Sequence, residues 1–130
     1  MMRDYDIKFV GKEITPFGGL SLFLKMLERC SFDKQLENCN LPMQGSNRGY
    51  KPLQLILGLF AGVWCGACCF GHLDVVRYDK VLCSLLGWER GADHRAYQRY
   101  FNKFSQAVNQ RVFSDLYSWL FSRLVFDNYT

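Results

Sequence analysis

Histidine is scarce in this chain, and proline nearly so. His72 and His94 are the two histidines of 130 residues, and Pro16, Pro42 and Pro52 are the three prolines. No Ser/His/Asp spacing, P-loop or Gly-rich phosphate loop stands out, so catalysis by those routes is excluded and no catalytic residue is assigned. No second Cys-x-x-Cys pair exists, and no proline follows Trp64-Cys-Gly-Ala-Cys68 to serve as the cis-proline of a thioredoxin site. There is no internal repeat and no low-complexity tract. The start, Met1 to Lys8, has no apolar run, so no signal peptide is read, and the expected location is cytoplasmic with reduced, mostly buried thiols.

What is present is an apolar, aromatic chain. It is 49% hydrophobic and 16% aromatic, and a chain of this length buries roughly two-thirds of its unfolded surface. The formal net charge of +4 is unevenly placed. Residues 1–43 balance, while residues 44–130 carry ten basic and six acidic side chains, with most of the excess between Trp88 and Arg111. Such a bias is compatible with nucleic acid without requiring it.

Asp6 to Val10 reads as a short β-strand, which needs partners elsewhere. Leu20, Phe23, Leu24 and Leu27 form one helical stripe, and Asp33 or Ser31 could cap a short helix through Asn38. Asn40 to Tyr50 reads as the clearest loop. Pro52 opens a helix that is apolar nearly all round and so belongs in a core or a membrane. Gly58, Gly62 and Gly66 recur every fourth residue along it and would let another helix approach closely. Asp79 and Asp93 are expected caps, Gly87 an expected stop, and a helix is expected from Asp93 through Phe104. The last helix, from Ser105, should bury Val112, Phe113, Leu116, Leu120 and Leu124.

Four constellations carry chemistry. Trp64 to Cys68 looks like a thioredoxin motif, but it follows about three turns of helix, where small buried cysteines are the plainer expectation. Cys65, Cys68, Cys69 and His72 share a helical face and make half a zinc site, but an apolar helix is poor ground for clustered thiolates, and no metal is assigned. Pro52 to Phe70 is near the minimum length of a membrane span. The other helices need it as their core, so a membrane partner is not expected. Finally, Arg95, Arg99 and Lys103 align three cations at i, i+4 and i+8, with Tyr97, Tyr100, Phe101 and Phe104 behind them. Such a helix suits a major groove or a phosphate track, although a solvated helix shows the same pattern.

The order of these pieces carries a resemblance. Ile14-Thr-Pro-Phe-Gly-Gly-Leu20 is followed by Tyr50 to Leu57, then by Gly71 to Gly87 with Asp79, Leu85 and Gly87, then by the basic helix ending Phe101-Asn-Lys-Phe104. This resembles the N-terminal region of DDE-type bacterial insertion-sequence transposases, most like the IS1380 group (IS4-like). The resemblance implies a mainly α, multi-helix domain with a helix-turn-helix-like middle and one short N-terminal β-strand. Residues 1–16 would join a missing catalytic sheet, 17–126 would form the helical domain, and 127–130 would begin the truncated catalytic domain. Such enzymes use a ribonuclease-H-like fold with an acidic triad and a divalent metal such as Mg. This chain stops about where the first catalytic strand should begin, and Asp127 is not assigned catalysis. The expectation is therefore a DNA-binding and assembly domain without nuclease activity or cofactor of its own. Its partners would be the terminal-repeat DNA of the element and a second copy of itself, with no small-molecule substrate. Arg95, Arg99 and Lys103 would contact DNA, with Arg90 and Arg111 as flanking phosphate contacts. The alternatives are a purely structural helical interaction module, or a small membrane protein with one span near 52–70.

Overall fold

The computed structural model describes residue 11 and residues 14–46 and 48–123. The expected strand at Asp6 to Val10, the expected buried position Leu124 of the last helix and the segment 127–130 lie outside the described residues. Within them the protein is mainly α, with no strand. The helices are α1 (Leu20–Arg29), α2 (Phe32–Asn38), α3 (Pro52–Trp64), α4 (Asp74–Tyr78), α5 (Lys80–Leu85), α6 (His94–Phe101) and α7 (Gln106–Arg123). A 3-10 turn over Phe70–Leu73 leads directly into α4.

Helix α3 is the centre. Its Leu55 and Ile56 belong to one buried cluster with Phe32 and Leu36 of α2, Tyr97 and Tyr100 of α6, and Val112 and Leu116 of α7. Its Ala61 belongs to a second cluster with Leu20 of α1, Val76 of α4 and Leu82 of α5. A helix serving two clusters needs apolar residues on more than one side, which accounts for its lack of a polar face. It is thirteen residues long, and no helix among the described residues is long and apolar enough to cross a membrane.

The glycines on α3 do different work from one another. A methyl group at Gly58 would overlap the Tyr97 hydroxyl, and one at Gly62 would overlap the Leu73 side chain. These two positions therefore admit α6 and the 3-10 turn against the α3 backbone. Gly66, expected to extend the same groove, lies past the helix end with φ +94°. There Ala67 N–H donates to the Gly62 carbonyl at 2.9 Å and Gly66 N–H to the Val63 carbonyl at 3.0 Å. That pair of bonds closes a helix around a left-handed residue. Gly87, with φ +74°, ends α5 by the same two bonds, from Trp88 to Cys83 and from Gly87 to Ser84.

The caps divide similarly. Asp79 and Asp93 accept from Leu82 N–H and Ala96 N–H, each at 2.9 Å, as their spacing predicts. The Thr15 hydroxyl donates to the other Asp79 oxygen, tying the segment before α1 to the start of α5. Neither Ser31 nor Asp33 caps α2. Ser31 takes a left-handed conformation, φ 54°, so that α2 can turn directly off the end of α1, and its hydroxyl is not available to the first turn. Helix α6 stops at Phe101, three residues short of the expected Phe104. On α7 the buried positions are Val112 and Leu116, with Phe113 and Trp119 partly covered, and Leu120 is 45% exposed.

Candidate nucleic-acid interface

Helix α6 positions the basic residues. Ala96, Tyr97 and Tyr100 recur at helical spacing and are buried, so they fix which side of α6 meets the core. Arg95 and Arg99, four residues apart, are left on the exposed side. The start of α6 is clamped to α4: Asp74 accepts from His94 N–H at 3.2 Å, and its second oxygen lies 3.1 Å from His94 Nδ1. Lys103 comes after the helix, in a turn where its N–H donates to the Tyr100 carbonyl at 3.1 Å. Its cation therefore does not continue the helical line from Arg95.

Three of the expected contacts brace one loop. Lys103 Nζ donates to the Met43 carbonyl at 2.8 Å, and Arg111 Nη2 to the Asn40 carbonyl at 3.3 Å. The Arg90 guanidinium lies 4.7 Å from the centre of the Tyr50 ring, while the Arg90 carbonyl accepts from Gln54 Nε2 at 2.9 Å. The Tyr50 hydroxyl in turn donates to the Gly91 carbonyl at 3.4 Å. A lysine has three donors and an arginine five, so each brace leaves donors for a ligand.

The braced loop walls two neighbouring grooves that both include Gly49 and Tyr50. One, of about 470 Å³, runs between Gln44–Ser46 and the Arg99, Tyr100 and Lys103 end of α6. Its two charged lining residues, Arg99 and Lys103, are both positive. The other, of about 590 Å³, is lined by Lys51, Gln54, Trp88, Glu89 and Arg90. The structure thus brings Arg99 and Lys103 together and sets Arg90 across Tyr50 from them. Arg95 lines neither groove, and Arg111 sits at the far end of the loop. Tyr50 and the loop before it were missed by sequence reasoning, which saw only turn-forming residues. The signal was the aromatic Tyr50 set between Arg48 and Lys51.

Tyr100 is 4% exposed, and its hydroxyl is buried with no hydrogen-bond partner. Burial pushes its pKa up to about 12, and that of Tyr97 up further. No family model, curated protein or solved structure matches the chain.

The cysteine motif falls elsewhere. Cys65 ends α3 at its C-terminus, where the helix dipole opposes a thiolate, the reverse of a thioredoxin arrangement. Cys39, Cys65 and Cys83 have their thiol pKa values raised, first by burial and then by the nearby carboxylates of Asp115 or Asp79. Cys68 and Cys69, expected inside a packed helix, are exposed because Gly66 ends α3 before them. Among the described residues no group of three or more His, Cys, Asp or Glu side chains is placed to hold a metal ion.

Proposed function

We propose that this chain is the DNA-binding and assembly domain of a DDE-type transposase, acting on the terminal repeats of its element and lacking nuclease activity of its own. The observation that carries the reading is the placing of Arg99, Lys103 and Arg90 around Tyr50, with Arg95 one turn away on the open side of α6. Cations at the rim of a groove neutralise phosphates, and an aromatic ring within it offers a face to a sugar or base. The family assignment itself rests on the sequence resemblance, and a cytoplasmic location goes with it. The pair in which α6 would be the second, recognition helix is α5 and α6. Their connection, residues 86–93, is longer than the three or four residues of that motif. The four-residue connection, 102–105, follows α6 instead and would make it the first helix. Helix α6 also packs on α3 and the 3-10 turn. Docking through the α6 face and the braced loop therefore fits better than insertion of a recognition helix alone.

The test is binding to terminal-repeat duplex over a salt series, with Arg95, Arg99 and Lys103 changed to Ala. Loss of three phosphate contacts lowers the slope of log affinity against log salt by about 3. Unchanged affinity and slope would sink the reading.

A second reading, the helical interaction module, has its own observation. An apolar cleft of about 450 Å³ lies between α1 and α7, lined by Phe23, Met26, Phe60, Phe113, Tyr117 and Leu120. Met26, Tyr117 and Leu120 are exposed there. Sedimentation across a concentration series distinguishes it: self-association without DNA binding favours the module. The single-span alternative has only the thirteen residues of α3 to rest on, against the ~20 that a span needs.

A further inference from the structure

Just past the end of α3 two consecutive residues, Cys68 and Cys69, are exposed free cysteines. The Cys68 Sγ lies 3.4 Å from His72 Nδ1, and the Cys68 backbone N–H donates to the same nitrogen at 3.3 Å. An amide N–H is always a donor, so Nδ1 is the acceptor and the ring proton sits on Nε2. The thiol shares that acceptor and is therefore the donor of the pair. The imidazole is held in place from its own backbone, because His72 N–H donates to the Cys69 carbonyl at 3.1 Å. A cleft of about 250 Å³, lined by Leu59, Val63, Ala67 and Phe70 with both cysteines, opens beside the pair. Cys69 shares the exposure and the cleft, but among the described residues its thiol has no such base.

We propose that Cys68 is a site of reversible thiol–disulfide exchange with low-molecular-weight disulfides, with His72 as the base that takes its proton. The Cys68 S–H proton passes to His72 Nδ1, and the thiolate attacks one sulfur of the incoming disulfide. A new S–S bond joins Cys68 to that half. The old S–S bond breaks, and the other half leaves as a thiolate that takes the proton back. Cys68 is oxidised, and the departing half is reduced. The cleft gives the incoming molecule an apolar wall beside the reacting sulfur. The other thiols compete poorly: Cys39 and Cys83 are buried, and Cys30 and Cys65 are partly covered.

The experiment uses the full chain and glutathione disulfide as probe, with modification at each thiol followed by peptide mapping. Cys68 is read in a Cys69→Ser variant, and Cys69 in a Cys68→Ser variant. A base positioned to take the thiol proton during attack assists Cys68 and not Cys69, so at neutral pH Cys68 should react about three- to tenfold faster. Adding His72→Gln to the Cys69→Ser variant should abolish the excess. His72 is exposed, and an unchanged far-UV spectrum checks that the variant is folded. Equal rates at neutral pH, or an excess that survives His72→Gln, would overturn the proposal.

Discussion

Changing Gly58 to Ala tests the seam on which the whole arrangement depends. In an isolated helix the change is favourable by about 1 kcal/mol, since alanine orders more readily than glycine. In this fold the new methyl would overlap the Tyr97 hydroxyl, sit 3.0 Å from Tyr97 Cζ and 3.2 Å from Trp88 Cη2. Tyr97 is 1% exposed, so its ring cannot swing aside into water. The two helices must separate instead, and overpacking of this kind costs about 1–3 kcal/mol. With an overlap this close the upper end applies, leaving a net loss of about 2 kcal/mol once the propensity gain is subtracted. Urea unfolding followed by circular dichroism measures it as a lower midpoint at constant slope. A double-mutant cycle isolates the cause. Tyr97→Phe removes the overlapping oxygen but leaves the ring carbon, so Gly58→Ala should cost about 1 kcal/mol less in that background. If Gly58→Ala is as stable as the parent or more so, α3 and α6 do not meet at this seam, and the placing of Arg95 and Arg99 on the open side of α6 loses its basis.

Tyr100→Phe should leave the protein as stable or raise its stability by about 1 kcal/mol, because a buried hydroxyl without a partner is removed; a loss of that size in thermal unfolding would mean the hydroxyl is satisfied. Tyr100 and Tyr97 both ionise at higher pH folded than unfolded. Their contribution is complete below about pH 10, the unfolded value, and is lost as pH rises towards the folded value, by about 1.4 kcal/mol per pH unit for each tyrosine. Urea midpoints from pH 9 to 11.5 should fall accordingly, less steeply in Tyr100→Phe. Asp93→Ala removes one cap and should cost about 1 kcal/mol in urea unfolding. Asp79→Ala should cost more, since the Thr15 hydroxyl loses its acceptor as well; equal costs would mean that this tie contributes nothing.

Much of the helical order was legible in the sequence because its signals are local. Asp79, Asp93 and Gly87 act through bonds to residues within a few positions of themselves, and Pro52 through its own fixed φ and missing N–H in the first turn. The Leu20 stripe and the Tyr97–Tyr100 face follow from helical spacing alone. What could not be read depends on contacts distant in the chain. Gly58, Gly62 and Gly66 have the same spacing, yet two receive neighbours from α6 and the 3-10 turn while the third ends the helix, and only packing distinguishes them. That early stop also exposed Cys68 and Cys69 and brought His72 against one of them. The five cations are equivalent as a list, but Lys103, Arg111 and Arg90 are drawn onto the loop of residues 40–50, sixty or more residues away for the first two. Sequence alone determined that this is a helical protein with a basic, aromatic α6. Tertiary structure decided that Lys103 leaves the line of that helix for the loop and that Arg90 and Arg111 meet the same loop, because those contacts come from segments distant in the chain.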